Sequence, residues 1–147
     1  MKVSEILKVK GNILFTVSPE TSLLDAIDTL AEKDVGSLVV MKSGVLVGMV
    51  SFREVMKAVH ECRGTITGTV GDYMDRDMFT ISPDTDLNDI RRMMLEHHAR
   101  YVPVLDGSVL MGVMSFYDVA KAVFEEQNFE NKMLKAYIRD WPTESEN

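Results

Sequence analysis

The chain has 147 residues, 46% of them apolar, and 23 acidic against 16 basic side chains give a net charge of −7. That length fits one compact domain with an ample core, and the acidic balance disfavours nucleic acid and anionic membrane surfaces as partners. No apolar run approaches the ~20 residues of a membrane span, the first residues lack a signal-peptide core, and the lone Cys62 excludes an intramolecular disulfide, so the expected location is the cytoplasm.

Taken in chain order, Val3-Ser4-Glu5-Ile6-Leu7 comes first, and a short strand at Thr16-Val17 precedes Ser18-Pro19. Leu23, Ile27 and Leu30 then recur at helical spacing, with Thr21 or Ser22 as N-cap and Asp25 in the first turn. The β-branched runs 37–41 and 45–50, parted by Lys42-Ser43-Gly44, predict a hairpin. A helix starts near Ser51 with Val55, Ala58 and Val59 on one face.

The same order then returns. At an offset of 64, residues 15–59 align without a gap on 79–123, and eighteen of the forty-five pairs are identical, including Pro19/Pro83, Gly48/Gly112, Ser51/Ser115 and Phe52/Phe116. In the second copy Thr80-Ile81 is the short strand, Leu87, Ile90 and Met94 mark the helix, and Val119, Ala122 and Val123 the last one. Asp106-Gly107 supports a tight turn between runs 101–105 and 109–114. Pro103 lacks an N–H, which predicts a strand start or an edge position. The opening segment recurs at 70–74 with an offset of 67, so three extra residues fall near Lys10-Gly11-Asn12, read as a cheap loop insertion.

This gives an α/β (α+β) architecture of two β-α-β-β-α repeats, each too short to bury a core alone, packed with pseudo-twofold symmetry and leaving clefts at the seam. The boundaries are 1–62 for repeat one, 63–69 for the linker, 70–124 for repeat two and 125–147 for an extension. Phe129, Met133, Ala136 and Tyr137 predict that the second repeat's last helix continues to about Asp140, before Trp141-Pro142 and a polar tail.

Both repeats carry their chemistry at one place, Gly48-Met49-Val50-Ser51-Phe52-Arg53-Glu54 and Gly112-Val113-Met114-Ser115-Phe116-Tyr117-Asp118. A hydroxyl followed three residues later by an acid is a capping box. The same groups at a helix N-terminus suit phosphate, and the carboxylate suits the two hydroxyls of a ribose. His97-His98, His60 and Cys62 show no repeated ligand spacing, so no metal is expected. No Gly-x-Ser-x-Gly elbow or acid/base pair marks an enzyme.

The repeat order, the Ser-Pro after a Thr-containing strand, the segment Arg100-Tyr101-Val102-Pro103-Val104 and the Gly-h-h-Ser-x-x-Asp ending together resemble a pair of CBS domains, the Bateman module, over about residues 3–124. The resemblance implies two clefts for adenine-containing ligands, with AMP foremost and ADP, ATP, NAD or S-adenosylmethionine as alternatives, and pairing of modules into a homodimer. One site would use Asp118 for the ribose, Ser115 and Phe116 at the helix start, Thr16, Val35, Gly36 and Ser37 at the adenine end, and Arg100 facing phosphate. The pseudo-symmetric site would use Ser51, Arg53 and Glu54 with Thr80, Ala99 and Tyr101. Glu54 departs from the usual Asp, and its extra methylene is expected to push the carboxylate into the cleft and weaken that site. The implied function is a stand-alone, non-enzymatic regulatory sensor. Only about 23 residues follow the second repeat, so its effector is expected to be a separate protein; a structural interaction module with no physiological nucleotide is the alternative.

Overall fold

The computed structural model describes residues 1–11 and 14–140. Chain order gives α1 (Val3–Lys10), β1 (Thr16–Val17), α2 (Leu23–Glu32), β2 (Ser37–Lys42), β3 (Val45–Ser51), α3 (Phe52–Glu61), α4 (Val70–Tyr73), α5 (Leu87–His97), β4 (Tyr101–Asp106), β5 (Val109–Ser115) and α6 (Phe116–Arg139). α6 runs on into the extension as its spacing predicts, with Asp140 as C-cap; Trp141 and the tail lie outside the described residues.

The repeat is legible at the level of single backbone angles. Asp34 and His98, aligned by the 64-residue offset, both take φ 52° at the end of their helices. The two hairpins shift register at the aligned steps Val40/Met41 and Val104/Leu105. Ser22 caps α2 by accepting from the Asp25 amide at 3.1 Å, and Asp86 caps α5 by accepting from Asn88 at 3.1 Å.

The first strands differ. β1 pairs in parallel with β2, helped by a bond from the Val39 amide to the Phe15 carbonyl at 3.3 Å. Position 39 aligns with Pro103, which has no N–H to donate, and the predicted strand at Thr80-Ile81 shrinks to one bridge between Ile81 and Val104. Pro103 is thus not at a strand start but lies on an edge, as the second expected alternative has it, since β4 and β5 form a two-stranded sheet flanked, among the described residues, only by the bridge at Ile81. It pairs with Val113 on β5, and its carbonyl accepts from Ile81 at 3.1 Å.

Each repeat's core is completed by the other's opening helix. Val3, Ile6 and Leu7 of α1 are buried among Leu87, Ile90, Met94, Val102, Val104 and Met114, while Val70 and Met74 join Ala26, Leu30, Leu38, Val40 and Val50. The exchange is fixed by matched backbone bonds. The Val3 and Ser4 amides donate to the Thr85 and Pro83 carbonyls, both at 2.9 Å, and the Val70 and Gly71 amides donate to Thr21 and Pro19 at 2.8 and 2.9 Å. The carbonyls of the repeated Ser-Pro turns therefore satisfy helix N-terminal amides that have no intrahelical partner.

Period-two alternation turns Leu38 and Val40 to their repeat's helices and Val39 to the opposite face. Val39 is fully buried there as well and lines the cleft at the seam.

Candidate functional site

Two clefts open at the seam, one beside Asp118 with a volume of 860 Å³ and one beside Glu54 with 760 Å³. Both fall within the range of small-molecule sites. The wall between them is shared, because His98, Ala99, Arg100 and Tyr101 line both.

In the Asp118 cleft the structure gathers Ser115, Phe116 and Asp118 from repeat two with Val35, Gly36 and Ser37 from repeat one, and Arg100 from the shared wall. Ser51, Arg53 and Glu54 line the other cleft with Ala99 and Tyr101. Thr16 and Thr80, the two threonines assigned to the adenine ends, are exposed and line neither cleft, although their neighbours Phe15 and Phe79 do. The preceding phenylalanines are drawn inward and the threonine side chains alternate outward, as expected of extended chain.

Gly36 is dictated by close approach. The Tyr101 hydroxyl occupies the space that a Cβ at position 36 would need, so the bulk of Tyr101 at the aligned position of Ser37 is accommodated only by a glycine. Phe116 at the start of α6 is tied to the same wall, its amide donating to the Arg100 carbonyl at 2.8 Å.

The two acids are held in different ways. Glu54 is 7% exposed and folds back on its own N-cap, one oxygen, Oε1, accepting from the Ser51 amide and the Ser51 hydroxyl, both at 2.9 Å. The added methylene is absorbed by this turn, so the carboxylate is retracted toward Ser51. Asp118 also closes a capping box, its Oδ2 accepting from the Ser115 amide at 2.9 Å while its own amide donates to Ser115 Oγ at 3.0 Å.

Asp118 has a second partner that the sequence reading missed. Lys10 Nζ donates to the same Oδ2 at 2.7 Å and to the Val113 carbonyl at 2.7 Å. Burial of Asp118 raises its pKa, but the bond from Lys10 and those from Ser115 outweigh it, and the carboxyl is held below its ordinary value. The signal for Lys10 was the three-residue surplus. It is not a loop insertion throughout: α1 extends to Lys10 where α4 stops at Tyr73, and Gly11, at φ 91°, ends the helix just past the lysine.

The aligned carbonyl in the Glu54 cleft is Met49's, and it accepts from the Asp75 backbone amide at 2.8 Å. A peptide group thus does on one side what an ammonium does on the other. The histidines have separate duties, His97 packing on the Phe79 ring with centroids 5.1 Å apart and His98 forming the left-handed C-cap of α5. Among the described residues no group of three or more His, Cys, Asp or Glu side chains is gathered as for a metal ion, and no helix is long and apolar enough to cross a membrane.

Two halves that lend each other a helix, and paired clefts with a capped acid at each, define a fold of two tandem pseudo-symmetric repeats. The CBS domain family matches the chain twice, at residues 3–61 and 70–125, and the chain belongs to that family. It is 29% identical over 148 residues to the mitochondrial CBS domain-containing protein CBSX3 of Arabidopsis thaliana, covering 93% of this chain and 71% of that one. Among solved structures it resembles a CBS-domain protein from Agrobacterium tumefaciens, with TM-score 0.78, 29% identity and coverage of 83% and 98% of the two chains. It also resembles CBSX2 in complex with AMP, with TM-score 0.72, 29% identity and coverage of 86% and 98%.

Proposed function

We propose that this protein is a non-enzymatic sensor that binds an adenine nucleotide, AMP foremost, in the Asp118 cleft and signals to a separate protein. The observation that carries the reading is the state of Asp118. Its carboxylate is held ionised at the start of α6, and among the described residues the bonds from Lys10 and from the Ser115 amide both fall on Oδ2, which leaves Oδ1 for a ribose hydroxyl. The AMP complex of the relative CBSX2 supports the choice of ligand. Val35, Gly36 and Ser37, with Phe15 in place of the exposed Thr16, make the adenine end and Arg100 faces phosphate in this reading. The Glu54 cleft, with Ser51, Arg53, Ala99 and Tyr101, is the weaker site in this reading because its carboxylate is buried and folded back toward Ser51; Thr80 is exposed and stays outside it.

A ligand shifts a conformational equilibrium only through differential affinity for the two states. The seam provides for this, since the Asp118 cleft is walled by both repeats and closing on a ligand changes how they meet. Self-association through α3 and α6 accompanies the reading, because Phe52 and Met56 on one and Tyr117 and Phe124 on the other are well exposed. Exposed Phe129, Met133, Leu134 and Ile138 on the extension of α6 favour the second reading, an interaction module with no physiological nucleotide.

Titration calorimetry with AMP, ADP, ATP, NAD and S-adenosylmethionine separates the two. Replacing Asp118 by Ala should weaken the preferred ligand ten-fold or more, as loss of charge-assisted hydrogen bonds worth ~1.5–3 kcal/mol each requires, and Glu54→Ala should leave it essentially unchanged. An Asp118→Ala protein that binds as tightly as the wild type sinks the assignment. No binding of any of the five to ligand-free protein leaves the interaction module standing.

A further inference from the structure

We infer that Lys10 is the residue that makes the Asp118 cleft select nucleoside phosphates over neutral nucleosides. The inference rests on the nucleotide reading of that cleft and concerns only which part of the ligand the lysine reads.

An ammonium carries three donors. Lys10 gives one to the Val113 carbonyl and one to Asp118 Oδ2, each at 2.7 Å, and the third has no acceptor among the described residues. The cation is therefore fixed in place by two short bonds while keeping a donor for a ligand. Its side chain is 37% exposed against 14% for Asp118, so the lysine faces the open part of the cleft and the acid the closed part. A molecule whose hydroxyl reaches Oδ1 of Asp118 and whose anionic group reaches Lys10 uses both ends of one ion pair. A ribose bearing a phosphate has that polarity and a nucleoside does not.

The charge balance of the clefts agrees. Lys10 and Arg100 face the single carboxylate of Asp118 in one, whereas Arg53, Lys57 and Arg100 are matched by Glu54, Asp75 and Asp77 in the other. The surplus of positive charge lies on the side of Asp118, and the extra turn of α1 supplies it through Lys10. A neutral nucleoside entering there reaches Asp118 Oδ1 but brings no anion for the lysine's third donor, while a phosphate gives the ammonium a second anion.

The test is the ratio of AMP to adenosine affinity, measured by calorimetry on wild type, Lys10→Gln, Lys10→Arg and Arg100→Gln, with thermal melts to confirm folding. Gln keeps a donor for the Val113 carbonyl and removes the charge. The expected result is a ratio at least ten-fold lower in Lys10→Gln, produced by weaker AMP binding with adenosine unchanged or tighter, and restored in Lys10→Arg. An equal loss for both ligands, or an unchanged ratio, overturns the inference. So does a ratio that falls in Arg100→Gln alone, which would give the phosphate to the shared wall. Wild-type protein that binds neither ligand refutes the nucleotide reading itself, and the role of Lys10 with it.

Discussion

The two clefts are built from aligned residues, and they diverge at the positions that decide what each can hold. Asp118 stands where Glu54 stands, and Tyr101 where Ser37 does. Arg100 answers to Gly36, and Pro103 to Val39. In the Glu54 cleft the longer acid closes on its own cap and a backbone amide from Asp75 satisfies the Met49 carbonyl. In the Asp118 cleft the shorter acid takes Lys10 of α1 as a further partner, and the same lysine satisfies the Val113 carbonyl. Duplication supplied two equivalent frames. Divergence then left one acid bonded, among the described residues, only within its own cap and gave the other an ammonium partner.

The strongest way to break this comparison acts on the shared wall. Gly36→Ala puts a methyl where the Tyr101 hydroxyl lies, whereas the aligned Arg100 already carries a Cβ. Overpacking of this kind should cost about 1–3 kcal/mol, seen as a lower midpoint in urea, and adding Tyr101→Phe should return part of it. A Gly36→Ala protein as stable as wild type would show that the wall yields freely. An intermediate effect comes from acid titration. Because the folded-state pKa of Asp118 is depressed, its contribution is fully present above the unfolded value of about 4 and is lost as pH falls through the folded value. Asp118→Asn should therefore be less stable than wild type near pH 7, with the gap closing below about pH 4 in urea melts. A gap that widens in acid would contradict the assignment.

The smallest effect sharpens the contrast between the first strands. Pro103→Val restores the amide that Val39 has, so a bond to the Phe79 carbonyl worth about 0.5–1.5 kcal/mol is gained. Loss of the proline's restriction on the unfolded chain, about 0.4–1 kcal/mol, offsets it. The net stability should hardly move, and hydrogen exchange is the readout: the amide at 103 should be protected. Exchange at the free-peptide rate would mean that Pro103 is not what reduces the strand at Thr80-Ile81 to a bridge.

Much of the fold could be read from the 64-residue echo, because hydrophobic period, hairpin turns and caps return in one order and each rests on local chemistry. The Ser-x-x-acid signal at 51–54 and 115–118 likewise located both clefts, since a capping box is specified within four residues. What escaped is non-local. The exchange of α1 and α4 between halves leaves no local mark, because Val3, Ile6 and Leu7 make an apolar face that suits either core. Lys10 looked like part of a loop surplus, and only contact with a residue 108 positions away gives it a role. Glu54 was expected to project into its cleft; spacing alone cannot tell an extended glutamate from one curled onto its own cap.

The loan of α1 to the second half has a consequence for how the protein is made. The opening helix emerges from the ribosome with its apolar face unpartnered and remains so until the strands and helix of repeat two have followed. Lys10 cannot meet Asp118 before nearly the whole described chain exists. A lone half would carry the same defect and satisfy it by exchanging opening helices with a second copy. The cleft beside Asp118 is thus a late product of synthesis, complete only once the start of α6 has joined α1.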